Sequence, residues 1–243
     1  MSGMSIKDLF KDEYAVKARF FPALVTALPI GVLMVLPLMG NVASFLSGMV
    51  WKLKYGIVMT TGMTIFLMII WLWAFLIRGI AKWVELLVFN NGERYPTTNL
   101  LMWKNLKFPR EYKRQIHNAI QTDFSVELLD VNSELEDELT ARKLITVAVD
   151  RIRDKVGDGR IVLQYNMGYG FMRNLVAGSF LAVMPSFVIF VLGVQMGWRS
   201  GECFVGVMLS LFYIIVLLIS KPVLRFLAGL YAKTLISEYM SLR

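Results

Sequence analysis

The sequence predicts an all-α membrane fold: four transmembrane helices, arranged two plus two, with a mainly helical α+β insert on the cytoplasmic side between the second and third. Three observations carry this. Residues 55–77, YGIVMTTGMTIFLMIIWLWAFLI, form a 23-residue run without charge, closed by Lys54 and Arg78. At about 1.5 Å rise per residue that run is roughly 35 Å long, enough to cross a hydrocarbon core of about 30 Å with some tilt. Of 243 residues, 56% are hydrophobic and only 18% charged, the balance of the membrane class. The charges are also unevenly placed, with none in residues 20–51, 174–198 and 203–220. A backbone in lipid must satisfy its own hydrogen bonds, so each such run is expected as a helix despite its β-branched content.

Residues 1–19 place Ile6, Leu9, Phe10 and Tyr14 at near-helical spacing among charges. They read either as an amphipathic helix on the inner leaflet, anchored by Lys17 and Arg19, or as a frayed tail. Within a first hairpin over 20–78, the first span is expected at 21–39. Pro22 suits its first turn, while Pro29 must bend or loosen it, and with Pro37 also present the run is expected as a kinked span followed by a short outer segment. A cleaved leader fits poorly, because Asp8, Asp12 and Glu13 stand in its n-region and Asn41 is large for the −3 position before Ala43.

The second span, 55–77, keeps a helical pattern through Ile80, Trp83 and Leu87 until Asn91, Gly92 and Pro96 stop it. In the middle segment, 79–173, Pro109 opens a helix to about residue 123 with Tyr112, Ile116, Ile120 and Phe124 as its apolar stripe. His117 lies beside that stripe and reads as a partly buried structural histidine. Ser133 with Glu136 reads as a capping box whose acidic first turn, Glu134, Glu136, Asp137 and Glu138, suits the macrodipole. The helix it opens presents Leu135, Leu139, Ile145, Val149, Ile152 and Val156 and ends at Gly157. Residues 161–165 read as a short strand or extended segment, with Gly168 and Gly170 in the turn after it. A second hairpin, 174–220, holds spans at 174–197 and 203–220, where Gly178, Ser179, Gly193, Gly206 and Ser210 let helices approach. Residues 221–243 are expected as a cytoplasmic C-terminal helix.

Orientation follows from the basic residues. Residues 1–19, 78–173 and 221–243 hold 23 of the 26 Lys and Arg, and the short connections hold only Lys52, Lys54 and Arg199. The positive-inside rule then places both termini and the middle segment in the cytoplasm of a multi-pass inner-membrane protein. Anionic headgroups account for the net charge of +8, so no nucleic-acid partner is called for. Cys203 alone excludes an internal disulfide or a CxxC zinc site, and His117 alone leaves little for a metal cluster. No cofactor is expected. Without GxSxG, HExxH or Walker sequences, neither is an enzyme.

Two clusters are candidates for function. Lys104, Lys107, Arg110, Lys113 and Arg114, interleaved with Trp103 and Phe108, form the densest basic patch. It is a lipid-headgroup anchor or solvated face on one reading, and a site for an anionic small molecule on the other. Tyr165, Asn166, Gly168, Tyr169, Gly170, Phe171, Arg173 and Asn174 stand where the insert meets the third span. They form either a hinge coupling the insert to the membrane or an interfacial aromatic belt. The letters MGYGF within them are no potassium-channel filter, which needs a preceding pore helix and an extracellular position.

No Asp, Glu, Lys, Arg or His lies inside the four expected spans, which weighs against ion-coupled transport and against a permanently open aqueous pore. The two-plus-two layout around a cytosolic insert resembles the four-helix transmembrane effectors of bacterial anti-phage systems. That resemblance covers the whole chain as architecture. It implies a homo-oligomeric effector whose cytoplasmic domain senses a ligand or partner and then opens a pore or lesion. Carrying no motif, it assigns no site residues. Two other readings stand beside it: a membrane anchor or scaffold that recruits a soluble cytoplasmic partner, and a small channel or transporter subunit.

Overall fold

The computed structural model describes residues 13–45, 51–90, 94–157, 159–197 and 200–243, and among them the side chains of all but 35–61. Ile6, Leu9 and Phe10 of the amphipathic segment, the Asn91-Gly92 stop and Arg199 lie outside the described residues, as do the side chains of Lys52 and Lys54. A π-helical turn, Ala15–Phe20, leads into α1 (Phe21–Phe45). There follow α2 (Trp51–Val88), α3 (Pro96–Leu101), α4 (Arg110–Phe124), α5 (Val131–Glu136), α6 (Glu138–Val156), α7 (Arg160–Met196) and α8 (Gly201–Ser241). Four helical stretches, Ala15–Met34, Gly62–Val88, Arg160–Met196 and Gly201–Ser241, are long and apolar enough to cross a membrane.

The α+β character expected of the insert is overturned: among the described residues there is no strand. Residues 161–165 are helical, and Gly168 and Gly170 lie inside α7 rather than in a turn. Once a helix is nucleated each further residue adds a bond, so a glycine that costs about 1 kcal/mol relative to Ala does not stop a helix of 37 residues. The fourth span and the C-terminal helix are likewise one helix, which runs through Pro222. α1 continues through Pro29 and Pro37 to Phe45, past the end expected at 39.

The helix expected from Ser133 is two. Asp130 caps α5, its carboxylate accepting from the Ser133 N–H at 2.8 Å, and Asp137 caps α6 by accepting from the Thr140 N–H at 3.0 Å. Asp serves as well as Ser at an N-cap, and this chain places one before each helix. The break takes Leu135 and Leu139 off the apolar stripe, leaving them 73% and 54% exposed, while Ile145, Val149, Ile152 and Val156 are buried. α6 ends at Gly157, where φ of +59° suits a residue without a Cβ.

The chain divides into two compact units: Met1–Val84 with Gly170–Ser220, and Glu85–Tyr169 with Lys221–Arg243. In the first, α1 and the π-helical turn before it are held by α2, α7 and α8. Pro29 has no N–H to offer the Val25 carbonyl, and the buried Tyr213 of α8 donates its hydroxyl there at 2.8 Å. Pro22 likewise offers nothing to the Ala18 carbonyl, where Asn174 Nδ2 of α7 donates at 2.5 Å. Trp73 Nε1 of α2 donates to Thr26 Oγ1 at 3.1 Å. In apolar surroundings a carbonyl freed by proline must find a side-chain donor, so the prolines specify which helices α1 binds. Gly193 and Gly206 bring α7 and α8 so close that a methyl at either would meet the opposite backbone, at Cys203 or Phe190. The outward side chains of this unit are large and apolar: Trp71, Met184 and Leu218 are 74%, 73% and 76% exposed.

The second unit is ordered the other way, around a buried apolar centre. The α4 stripe is as expected, with Ile116 and Ile120 fully buried and Tyr112 and Phe124 packed beside them. The same core takes Leu101, Ile145, Ile152 and, from the end of α8, Leu235, Ile236 and Tyr239. Tyr239 stacks on Phe124 at 5.8 Å and donates its hydroxyl to Asp123 at 2.7 Å. Lys155 and Arg243 bond the same carboxylate at 2.7 and 3.1 Å and, with Tyr239, hold its pKa below the usual carboxylate range.

Candidate functional site

The expected basic patch does not act as one surface. Lys113 is buried, and its ammonium donates to the carbonyls of Met102 at 2.5 Å, Trp103 at 3.3 Å and also Asn105. Burial pulls its pKa below 10.5, although Glu134 opposes this. It is therefore a structural cation rather than part of an open anion site. Lys104 pairs with Glu138 at 2.6 Å and Arg114 with Glu111 at 3.3 Å. Arg110 is exposed on the first turn of α4. The sequence cannot separate these roles because burial of a lysine depends on what covers it.

Lys113 belongs to a network that shapes the stretch between α3 and α4. Glu134, read from the sequence as a helix-dipole residue, is buried and accepts from the N–H groups of Trp103 at 2.9 Å and Lys104 at 3.2 Å. Trp103 Nε1 donates to the Leu129 carbonyl at 2.9 Å. His117 Nε2 lies 3.0 Å from the Leu101 carbonyl, and since that oxygen only accepts, Nε2 carries the proton. Burial holds the His117 pKa below 6.5, so the ring is neutral at physiological pH, as a structural histidine should be.

This network presents Asn105 and Lys107 to a cavity of about 700 Å³ in the second unit. Four cations line it: Arg94 before α3, Lys107 before α4, and Arg225 and Lys233 from α8. Among the described lining residues there is no Asp or Glu. Arg225, Gly229 and Lys233 follow one another at helical i, i+4 spacing, and the glycine leaves open space between the two cations. Arg225 Nη2 also donates to the Val88 carbonyl at 3.4 Å, meeting one of the unpaired carbonyls at the end of α2. Asn99 is fixed on both sides, donating to the Arg94 carbonyl at 3.1 Å and accepting from Arg142 at 2.9 Å. Phe89, Phe108, Phe226 and Leu230 supply apolar wall. Of the expected patch, only Lys107 reaches this site. The spacing of Arg225, Gly229 and Lys233 was the signal in the sequence that could have found α8's share.

The expected junction cluster is split. The boundary between units falls between Tyr169 and Gly170, so Tyr165, Asn166, Gly168 and Tyr169 belong to one unit and Gly170, Phe171, Arg173 and Asn174 to the other. Gly170 and Asn174 share a role, packing α7 on the segment before α1: a methyl on Gly170 would come within 2.8 Å of Tyr14 Oη, and Asn174 bonds Ala18. Gly168 has open space around it. Among the described residues, no three His, Cys, Asp or Glu side chains gather as metal ligands.

No family model, curated protein or solved structure matches this chain. Its class follows from its own features: an all-helical chain with four stretches able to span a membrane, and a polar helical unit with a cation-lined cavity.

Proposed function

We propose that this chain is a multi-pass protein of the cytoplasmic membrane, assembled as a homo-oligomer, whose polar unit senses an anionic ligand from the cytoplasm and alters the bilayer through the spans. On this reading the spans are arranged two plus two, both termini are cytoplasmic, and the protein is a non-enzymatic effector of the kind used in anti-phage defence. The observation that carries the reading is the gathering of Arg94, Lys107, Arg225 and Lys233 around one cavity, with no carboxylate among its described lining residues. Like charges collected in this way disfavour the empty state and favour an anion. Support also comes from α2, α7 and α8, each of which is an unbroken helix containing residues of both units. The absence of ionisable residues from the expected spans suits an assembly that stays closed until triggered.

Three measurements test this. Protease applied outside intact cells should spare residues 85–169, and cleavage there would reverse the orientation. Native mass measurement in detergent should give an oligomer, and liposomes holding the protein should pass ions once its ligand is added. A monomer without flux would favour the anchor or scaffold, in which the same cavity recruits a soluble partner. Because Cys203 is buried, topology labelling is better done with cysteines introduced at exposed positions.

A further inference from the structure

Building on that reading, the chemistry of the cavity narrows its ligand. We infer that it binds an organophosphate, a phosphate group carried on a larger, partly apolar body. Arg94, Lys107, Arg225 and Lys233 take the phosphate charge, and Phe108 and Phe226 contact the body.

Four cations, with no carboxylate among the described lining residues, call for a ligand of more than one negative charge. A phosphate monoester brings about −1.5 to −2 and three acceptor oxygens, where a carboxylate brings one charge. The two guanidinium groups add planar forks that match phosphate oxygens in pairs. A bare phosphate is not enough to fill the site. Its volume is that of only a few waters, each about 30 Å³. The cavity of about 700 Å³ lies instead in the range of sites for whole small molecules. Its aromatic and aliphatic wall, from Phe89, Phe108, Phe226 and Leu230, provides for the remainder.

Two sources offer this chemistry. One is a soluble organophosphate such as a nucleotide. The other is an anionic phospholipid, since Arg225 follows only five residues after Ser220, the last of the uncharged run, along one continuous helix. At about 1.5 Å per residue that is roughly 7 Å, within reach of the headgroup layer.

The test uses the full chain in zwitterionic detergent, titrated with ATP and separately with inorganic phosphate. A second arm uses phosphatidylcholine nanodiscs with and without phosphatidic acid, and reads the thermal midpoint. The variant is Lys107→Ala/Lys233→Ala, because neither ammonium makes a hydrogen bond or ion pair among the described residues. Lys143→Ala/Arg151→Ala removes the same charge from the exposed face of α6 as a control.

ATP binding more tightly than inorganic phosphate, or a midpoint raised by phosphatidic acid, supports the inference and names the source. The effect should fall by about tenfold or more in the cavity variant and persist in the control. The inference is overturned if neither probe acts, if inorganic phosphate matches ATP while phosphatidic acid is inert, or if both double variants lose binding equally. Orientation and oligomeric state are measured without ligand, so a failure here leaves them standing, and their failure leaves the binding result readable.

Discussion

The two units solve opposite solvation problems with the same element, the helix. In Glu85–Tyr169 with Lys221–Arg243, apolar side chains such as Ile120, Ile145 and Ile236 are buried, and most charges stay outside or in the cavity, while the buried Lys113 and Glu134 are held by backbone carbonyls and N–H groups. In Met1–Val84 with Gly170–Ser220, residues as large as Trp71 and Leu218 point outward, and Asn174 and Tyr213 turn inward to bond carbonyls freed by proline. Water drives the first arrangement through the apolar surface it removes. Lipid supplies no such drive between helices, so specificity there rests on close packing and on hydrogen bonds that the solvent cannot replace.

Substitutions that probe this contrast should differ in size. The largest loss is expected for Ile120→Ala, which empties a fully enclosed site in the polar unit and should cost about 2–5 kcal/mol in thermal unfolding of the detergent-solubilised chain. Next comes a paired test of solvent: Leu67→Arg, half exposed in mid-span, should disfavour membrane insertion by about 3 kcal/mol in a translocon assay. Leu135→Arg, on the polar unit, should change stability by less than about 0.5 kcal/mol. Equal effects from these two arginines would mean that both units face the same solvent.

Tyr213→Phe leaves the Val25 carbonyl without its donor and should cost about 1–3 kcal/mol. Adding Pro29→Ala returns a backbone N–H to that carbonyl, so the double variant should recover part of the loss in the same unfolding assay. No recovery would show that the hydroxyl does not stand in for the missing backbone bond.

The smallest effect is a pH dependence confined to the polar unit. His117 is neutral when folded, with its pKa held below 6.5 by burial, so as pH falls below 6.5 only the unfolded chain takes up that proton and stability declines. Asp123 acts lower: its bonds to Lys155 and Tyr239 depress its pKa, so its stabilisation is complete above 3.8 and is lost as pH falls through the folded value. His117→Gln should remove the first decline and keep the second in a series of melting curves against pH.

Much of this was legible in the residues. The uncharged runs marked the spans, and the Tyr112, Ile116, Ile120, Phe124 spacing marked the buried face of α4, because both depend on local pattern and the nature of the solvent. The errors came where two local signals competed. Ser133 and Asp130 could each cap a helix, and β-branched residues beside two glycines looked like a strand and turn although they continue α7. At the site, five neighbouring cations looked alike, yet Lys113 is enclosed by carbonyls, Lys104 is paired with Glu138, and Lys107 lines the cavity.

The sequence by itself determined that this chain is mainly helical, where it can cross a membrane, and which side of α4 is buried, but not that residues 161–165 continue a helix. Tertiary structure alone decided that Arg94 and Lys107 would stand beside Arg225 and Lys233, more than a hundred residues away, and that Tyr213 and Asn174 would answer carbonyls freed by Pro29 and Pro22. Helix formation and solvent preference act through near neighbours along the chain. Bringing like charges together requires distant contacts, here Tyr239 on Phe124 and Ile236 in the same core as Ile120, whose burial offsets the repulsion.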